Sequence, residues 1–274
     1  MKSNILTVIV LYKQKISDSP AYTLLKEAVL LGQTTLLVVD NSPNPQDDPL
    51  FKINGISYVH EPTNPGLASA YNRGLKAGAD LEWLVSLDQD TKIASDYYEK
   101  LLELPAEKHI AAAVPKIFAG ERQISPLYAS DYIDRTAKPV ERIGETAERI
   151  MAVNSGTAFS IRFLKKIGGF NPAFSLDFLD HWVFWRIYQE KETIYVLPVR
   201  FEHELSVLDY KKMSIERYRS ITEAENLFYQ KYDTKHLKQH KKQLVLRTIK
   251  HFLTVRDRKI WRQTLRTFIQ SRKV

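Results

Sequence analysis

Two aspartates follow directly on an apolar run in the stretch Leu81-Glu82-Trp83-Leu84-Val85-Ser86-Leu87-Asp88-Gln89-Asp90. The run has the length of one β-strand, and two aspartates at its end cannot both face a core. If the chain stays extended, Asp88 and Asp90 project to the same side, because alternate residues of a strand share a face. The pair then offers two hard oxygen ligands for Mg²⁺ or Mn²⁺. Since such pairs also occur in turns and on solvated surfaces, the surrounding sequence decides between these interpretations.

Apolar runs of strand length alternate with helical patterns around this pair. Strands are predicted at residues 5–12, 35–39, 56–59, 81–87, 110–118, 152–161 and 193–198. Helices are predicted at residues 21–31, 66–78, 97–104, 163–167 and from residue 215 onward. This alternation predicts an α/β fold with a mostly parallel central sheet flanked by helices. Residues 121–149 show little periodicity, and we interpret them as a flap or long insertion over the site.

Polar residues lie at the ends of the predicted strands. Tyr12, Asp40, residues 61–66 and the pair Asp88 and Asp90 all occupy such ends. Because ligands bind beyond the carboxyl ends of strands in open α/β sheets, we expect these residues to converge on one crevice. Two other interpretations stay open. Asp40 is also suited to a turn or a helix cap, and the small residues after position 66 also suit tight packing of a helix on a sheet.

The composition is that of a globular protein. The chain has 274 residues, of which 44% are hydrophobic and 26% charged, and it contains no cysteine. Disulfides and thiolate metal sites are thereby excluded. The N-terminal residues lack the pattern of a signal peptide, and no apolar run approaches the ~18 residues of a membrane span. We therefore expect a cytoplasmic protein, peripheral on the inner face of the cell membrane.

The membrane expectation comes from an uneven distribution of charge. Residues 211–274 contain 18 Lys and Arg against 5 Asp and Glu, whereas residues 1–210 have a net charge of −5. We predict a catalytic domain at 1–210 and a basic amphipathic helical tail at 211–274. The tail's apolar stripes are Val245, Ile249 and Phe252, and then Trp261, Leu265, Phe268 and Ile269. A basic amphipathic helix favours an anionic membrane surface over packing on the body, an oligomer contact or nucleic acid.

Four segments together resemble a known family. They are Val38-Val39-Asp40-Asn41-Ser42, Asn64-Pro65-Gly66-Leu67-Ala68-Ser69-Ala70-Tyr71-Asn72-Arg73-Gly74, Leu87-Asp88-Gln89-Asp90-Thr91, and Gly169-Phe170-Asn171 through Asp177-Phe178-Leu179-Asp180 to Arg186. With these, residues 4–210 resemble the family 2 glycosyltransferases, which have the nucleotide-diphospho-sugar GT-A fold. The Asp-Gln-Asp and Phe-x-x-Asp-x-x-Asp patterns resemble the bacterial rhamnosyltransferase branch, whose donor is dTDP-rhamnose.

The resemblance implies a donor site and a metal site. In the donor site, Asp40 would accept the N3–H of a pyrimidine base with Tyr12 against the ring. The other implied donor-site residues are Asn64, Gly66, Ala70, Asn72, Asp88, Ser155, Gly156, Asp177 and Arg186. Asp88 would meet the ribose or the metal, Asp90 would bind Mn²⁺ or Mg²⁺, and His203 would be a third ligand of the metal or the diphosphate. A lone histidine is also compatible with a structural or surface role.

The resemblance places the catalytic base at Asp180. Asp177 and Asp180 are spaced i,i+3 before Arg186, so we expect them on one face at a helix start, where carboxylates also favour the helix dipole. A carboxylate there would take the proton of the attacking hydroxyl, and direct displacement inverts the anomeric centre. Trp182 departs from the family, since many relatives carry a second acidic residue there. We expect Trp182, Phe184 and Trp185 to be core residues or a stacking wall for a sugar.

The predicted function is a metal-dependent inverting glycosyltransferase. It would move L-rhamnose from dTDP-rhamnose to a saccharide or lipid-linked saccharide in cell-surface polysaccharide synthesis. A UDP-hexose or UDP-N-acetylhexosamine donor would use much the same residues. A nucleotidyltransferase would need a glycine-rich phosphate loop, and residues 11–20 contain no glycine. A non-catalytic protein that binds a membrane or nucleic acid is disfavoured by the presence of four aspartates, Asp40, Asp88, Asp90 and Asp180.

Overall fold

A computed structural model describes residues 3–104, 109–129, 137–202 and 214–271. The chain forms two compact units. Residues 1–128 with 138–203 make the first, here called the α/β unit, and residues 129–137 with 204–274 make the second, here called the helical unit. The predicted domain boundary between residues 210 and 211 lies outside the described residues and stays a prediction.

Strands and helices alternate through the first half of the α/β unit. Its strands are β1 (Ile5–Leu11), β2 (Thr35–Asp40), β3 (Ile56–His60), β4 (Trp83–Asp88), β5 (Ile110–Ala119), β6 (Arg122–Ser125), β7 (Leu127–Tyr128), β8 (Gly144–Thr146), β9 (Ile150–Met151), β10 (Thr157–Ser160) and β11 (Thr193–Glu202). Its α-helices are α1 (Tyr22–Leu30), α2 (Leu67–Ala77), α3 (Tyr97–Leu102), α4 (Ile161–Ile167) and α5 (Leu179–Gln189).

The main sheet has the strand order β3-β2-β1-β4-β10-β5-β11-β8. Neighbours among β3, β2, β1 and β4 run parallel, and β11 runs parallel to β5. The strand β10 lies antiparallel between β4 and β5. The predicted α/β fold with a mostly parallel sheet flanked by helices is therefore confirmed.

The strand β1 is central because it is apolar on both faces. All seven of its residues are buried, as expected for a parallel strand covered on both sides. The helix α2 lies close over this strand, since a β-carbon at Gly74 would overlap Val8 and approach Leu84. Glycine thus allows α2 to pack directly on β1 and β4, which fixes the ends of these elements relative to one another.

Residues 121–149 are more regular than the sequence suggests. In their described part, β6 pairs with β5, β7 pairs with β9, and β8 pairs with β11 at the sheet edge. Strands of two to four residues are too short to show periodicity, which explains why the sequence did not reveal them. The interpretation of residues 121–149 as a flap or long insertion over the site stays a prediction. The strand predicted at 152–161 is also shorter, and only β10 at its end is a strand of the main sheet.

The helical unit consists of α6 (Ile215–Lys231), α7 (Leu237–Thr254) and α8 (Arg258–Ser271). Its buried contacts include polar pairs. Arg247 donates two hydrogen bonds to Glu225, at 2.6 and 2.8 Å. The Tyr218 hydroxyl lies 2.6 Å from the Thr264 hydroxyl, and all four residues are buried or half-buried. These pairs share the interior with apolar residues, among them Phe228, Leu244 and Ile260.

The apolar stripes predicted for this region take different positions. Val245, Ile249 and Phe252 are exposed on α7, as is Ile269 on α8. On α8, the side chains of Trp261, Leu265 and Phe268 are half-buried. The ring of Trp261 packs edge-on against Phe252, with 5.4 Å between centroids. Across the described residues, no helix has the length and apolarity needed to cross a bilayer.

Candidate functional site

The site begins where β4 ends. Asp88 is the last residue of β4, and it pairs with Val10 of β1. The chain then turns, because the Thr91 amide donates to the Asp88 carbonyl at 3.2 Å. The chain therefore does not stay extended through Asp90, and the condition under which Asp88 and Asp90 would share one face of a strand is not met. A turn brings Asp90 to the surface, while Asp88 is half-buried.

A buried tyrosine marks the point where the predicted acids meet. The Tyr71 hydroxyl of α2 donates to Oδ1 of Asp88 at 3.1 Å. Burial raises the pKa of Tyr71 well above its usual value, and the nearby carboxylates of Asp88, Asp180 and Asp90 raise it further. The Tyr71 hydroxyl is thus protonated and donates a hydrogen bond. Three carboxylates, two at the end of β4 and one in α5, raise its pKa. Sequence reasoning included Tyr71 in a motif without assigning it a role.

Ser155 contacts both ends of the turn from Asp88 to Thr91, and Gly156 is the next residue in the chain. The Ser155 hydroxyl accepts the Asp88 amide at 2.9 Å and lies 2.5 Å from the Thr91 hydroxyl. The Gly156 carbonyl accepts the Tyr97 hydroxyl at 2.8 Å. Both residues are buried. The bonds of Ser155 hold the turn from Asp88 to Thr91 in place, and the predicted contact of Ser155 and Gly156 with the donor stays a prediction.

Gln89, in the turn from Asp88 to Thr91, bonds the residue that follows β1. Its Oε1 atom accepts the Tyr12 amide at 2.7 Å. The Tyr12 ring is exposed, and Lys13 Nζ lies 5.0 Å from its centroid. The ring is therefore available to a planar ligand. The central residue of the Asp-Gln-Asp pattern was not predicted to have a role, and it holds the predicted base-binding residue in register with the acids.

Asp40 is buried at the end of β2. Its carboxylate accepts the Ser42 amide, Gln46 Nε2 and the Tyr58 hydroxyl, each at 2.9 Å. Burial opposes its charge, but hydrogen bonds from Ser42, Gln46 and Tyr58 outweigh this and hold the pKa of Asp40 below its usual value. The bond to the amide two residues on is that of an Asx turn. The turn interpretation describes these contacts, and contact between Asp40 and a base stays a prediction.

The loop before α2 is covered by another loop. Gly66 has a φ of 88°, and a β-carbon there would overlap the Ser175 carbonyl. The Leu67 amide, the first of the helix, donates to that carbonyl at 2.6 Å. The helix N-terminus predicted to receive phosphate is therefore partly occupied by the protein's own backbone. Asn64 is exposed with a φ of 47°, and Ala70 is buried.

Asn72 joins α2 to the segment before α5. Its Nδ2 donates to the Phe170 carbonyl and its Oδ1 accepts the Phe170 amide, both at 2.7 Å. Both polar atoms of the side chain are used in this way. The bonds differ from the predicted donor contact, because an amide that clamps another backbone segment has a packing role.

The proposed base lies in the first turn of α5. Asp180 is half-buried, and its Oδ1 accepts the His181 amide at 2.8 Å. Phe178, just before the helix, has a left-handed φ of 62°, and its ring stacks on His181 with 4.3 Å between centroids. Asp177 therefore precedes the helix. The prediction that Asp177 and Asp180 share one helix face was wrong, because α5 begins at Leu179 and the N-cap Phe178 has a left-handed backbone.

Later residues of α5 belong to the interior. Trp182 and Phe184 are buried, which agrees with their interpretation as core residues, and Trp185 is half-buried. Arg186 donates to Glu190 at 2.6 Å. This is an intrahelical ion pair with a glutamate one turn away, and the predicted contact of Arg186 with a donor stays a prediction.

The acids are suited to a divalent cation. Asp88 and Asp90 supply hard oxygen donors beside a third carboxylate, Asp180, as Mg²⁺ and Mn²⁺ prefer when a substrate phosphate completes their coordination. Within the described ranges, no group of three or more His, Cys, Asp or Glu is arranged to hold a metal by itself. His203, the predicted third ligand, lies outside those ranges. The donor set therefore fits a cation shared between Asp88, Asp90 and a bound diphosphate.

The family is shown by the sequence. The model for glycosyl transferase family 2 matches residues 31–167, which is half of the chain. The chain therefore belongs to glycosyl transferase family 2. No match was found among curated proteins.

Solved structures with the same fold are glycosyltransferases of the GT-A type. GalNAc-T7, in a crystal structure with UDP, GalNAc and Mn²⁺, has a TM-score of 0.58 and 13% identity, and the match covers 88% of this chain. S. aureus TarS 1–349 has a TM-score of 0.56 and 15% identity, over 99% of this chain and 81% of that one. Its complex with UDP-GlcNAc gives 0.54 and 15%. The chain spans half the length of the GalNAc-T7 chain. At these identities, the matches establish the fold.

Proposed function

We propose that this family 2 glycosyltransferase is metal-dependent and inverting, and that it transfers L-rhamnose from dTDP-rhamnose to a saccharide or lipid-linked saccharide in cell-surface polysaccharide synthesis. The observation that carries the proposal is the position of Tyr71, whose hydroxyl bonds Asp88 and lies in the field of Asp90 and Asp180. Acids from the end of β4 and the start of α5 thus act on one buried hydroxyl, which supports a common site for them.

Asp180 acts as the general base in this proposal. Its carboxylate takes the proton from the acceptor hydroxyl while that oxygen attacks the anomeric carbon of the donor sugar. The bond between that carbon and the diphosphate oxygen breaks, and the nucleotide diphosphate leaves with the bonding electrons. One displacement from the opposite face inverts the anomeric configuration. The hydrogen bond from the His181 amide to Oδ1 of Asp180 fixes the carboxylate at the start of α5.

Asp88 and Asp90 would hold the divalent cation. When bound, the cation neutralises the negative charge that builds on the diphosphate leaving group. The GalNAc-T7 structure, which contains Mn²⁺ and UDP, supports this assignment. Tyr71 stays protonated and keeps Asp88 oriented, while Ser155 supports the same residue through its backbone amide.

The donor assignment rests on the pattern around Gln89. The Asp88-Gln89-Asp90 segment resembles that of dTDP-rhamnose-dependent enzymes. In this chain, Gln89 links the acids to Tyr12, whose exposed ring is suited to stack on a pyrimidine. A UDP-hexose or UDP-N-acetylhexosamine donor is the second candidate, because TarS was crystallised with UDP-GlcNAc and GalNAc-T7 with UDP and GalNAc.

The donor experiment compares nucleotide sugars directly. The protein is incubated with dTDP-rhamnose, UDP-glucose, UDP-galactose and UDP-GlcNAc, each with Mn²⁺ or Mg²⁺, and release of the nucleoside diphosphate is measured. We expect release from dTDP-rhamnose, and much less in the control reaction without protein. The Asp180→Asn variant serves as a second control. Release from UDP-GlcNAc alone would favour the second donor class, and release from no donor would favour a non-catalytic role.

A further inference from the structure

The helix α7 exposes an apolar face to solvent. Its members are Val245, Leu246, Ile249, Phe252 and Leu253, here called the outer face of α7, and they are 37% to 73% exposed. Their spacing is i, i+1, i+4, i+7 and i+8, so they form one continuous stripe along the helix. Scattered single apolar residues are ordinary on a protein surface, whereas a contiguous stripe of five marks an interaction site.

The opposite face of α7 is the one that packs. His240, Leu244 and His251 are buried, and they fall at their own helical spacing. Arg247, bonded to Glu225 of α6, lies on the same side. The helix therefore meets its neighbours mainly through a mixed, largely polar face. Of the outer face, Phe252 also contacts Trp261 of α8, and it stays 50% exposed.

The outer face is surrounded by positive charge. Residues 237–271 contain ten Lys and Arg and one acidic residue, Asp257. Lys238 and Lys242 precede Val245 and Ile249 by seven residues, and they are exposed. At 3.6 residues per turn, this spacing places both lysines on the same side of α7 as the stripe.

We propose that the outer face of α7 docks on the surface of an anionic lipid bilayer. Leucine, isoleucine and phenylalanine side chains enter the boundary between headgroups and acyl chains, while Lys238 and Lys242 lie at the level of the lipid phosphates. The helix lies parallel to the membrane over a length of about 27 Å, from 18 residues at 1.5 Å each. An anionic bilayer is the partner that matches both the positive charge and the exposed apolar side chains of this face.

Other partners fit only one of these two properties. A second copy of the chain would bring two strongly basic surfaces together, and juxtaposed like charges oppose association. Nucleic acid would meet the lysines but leaves the leucines without a partner, since its outer surface is phosphate and sugar. The inference is independent of the donor assignment, because it involves none of the residues of the proposed reaction.

The first test removes apolar groups and keeps the charge. The double variant Leu246→Gln and Leu253→Gln is compared with Leu30→Gln and Leu31→Gln, which changes two exposed leucines of the α/β unit. Co-sedimentation of each full-length protein is measured with vesicles of phosphatidylcholine and with vesicles containing phosphatidylglycerol. We expect wild type and the α/β-unit control to bind the anionic vesicles. The α7 variant should bind the anionic vesicles at least about tenfold more weakly than wild type.

The second test removes charge and keeps the apolar stripe. Lys238→Gln with Lys242→Gln should weaken binding to anionic vesicles about 30-fold, the factor expected from two charges at a membrane surface. The matched control is Lys26→Gln with Lys52→Gln, two exposed lysines of the α/β unit. High salt should reduce the difference between the two pairs.

Three results would overturn the proposal. One is a wild-type protein that does not sediment with anionic vesicles at low salt. Another is an α7 leucine variant that binds them as tightly as wild type. The third is a wild-type dimer, detected by sedimentation velocity, that the leucine substitutions convert to a monomer without any vesicle binding. Release of nucleotide from a donor sugar, measured in the same samples, reports separately on the proposed reaction.

Discussion

The α/β unit and the helical unit differ in what they bury. In the α/β unit, β1 is buried along its whole length, and the acids stand at the strand ends. The helical unit buries Leu244 and Ile260, but its interior also holds the ion pair of Glu225 and Arg247. Buried polar groups are tolerated in proteins when they are paired. The helical unit thus combines a partly polar interior with the exposed apolar outer face of α7.

The two units also differ in charge. Residues 1–210 carry a net charge of −5, and residues 211–274 carry +13. A cluster of acids suits a cation and an anionic leaving group, whereas a basic apolar surface suits a bilayer. The comparison therefore places the proposed reaction in one unit and the proposed membrane attachment in the other, and each prediction below tests this division.

The largest expected effect is the loss of transfer when divalent cations are removed. Excess chelator should abolish turnover, and Asp90→Asn should weaken nucleotide-sugar binding, because one charged ligand beside the diphosphate is lost. Turnover and donor binding are measured with and without added Mn²⁺. The matched variant is Asp257→Asn, an exposed aspartate of the helical unit, which should bind donor normally. Full activity in excess chelator would contradict the metal assignment.

Substitution of the proposed base should have the next largest effect. Asp180→Asn keeps an acceptor for the His181 amide but cannot take a proton, so turnover should fall by about 10²–10⁴-fold while donor binding is retained. Single-turnover rates and donor titrations provide the two measurements. Asp177→Asn, which lies outside the helix, should reduce turnover by a smaller factor than Asp180→Asn does. Normal turnover of Asp180→Asn beside an inactive Asp177→Asn would assign the base to Asp177.

In the helical unit, a substitution in the interior should lower stability rather than turnover. Glu225→Gln removes the charge that accepts two hydrogen bonds from Arg247, and the free energy of unfolding should fall by about 2–3 kcal/mol. Thermal and denaturant unfolding measure this change. Turnover well below the melting temperature should be unaffected. The control is Glu103→Gln, which breaks an exposed pair with Lys100 and should not shift the melting temperature. Loss of turnover in folded Glu225→Gln would show that the helical unit contributes to the reaction, which contradicts this prediction.

The smallest effect is expected at Tyr71. Tyr71→Phe keeps the ring but removes the hydrogen bond to Asp88, and about tenfold more Mn²⁺ should be needed for half-maximal rate. The matched variant is Tyr98→Phe, whose buried hydroxyl bonds Thr7 at 2.8 Å. Both variants should lose some stability, but only Tyr71→Phe should change the metal dependence. An equal change in both would show that the Tyr71 hydroxyl acts through packing.

The sequence allowed the fold and the strand-end acids to be predicted. Runs such as β1 are apolar on both faces, and Asp88 ends β4 as expected. The roles of Asn72 and Ser155 could not be predicted, because their partners lie 98 and 67 residues away along the chain. A side chain that bonds a distant backbone leaves no periodic signal.

The helical unit shows a second limit. Periodicity detected an apolar stripe at Val245, Ile249 and Phe252, and a stripe is usually read as the buried side of a helix. Here the buried side carries His240 and His251. Which side faces inward depends on partners such as Glu225 on another helix, and the pattern of one helix does not contain that information.

Phe178 has a consequence for laboratory evolution. A left-handed φ in an aromatic residue costs about 1–3 kcal/mol, and glycine adopts it freely. A screen for survival at high temperature is therefore expected to favour Phe178→Gly. The same change removes the ring that stacks on His181, next to Asp180. Selection for heat resistance and selection for catalytic speed should thus pull position 178 in opposite directions, and sequencing the survivors of each screen at that codon would reveal it.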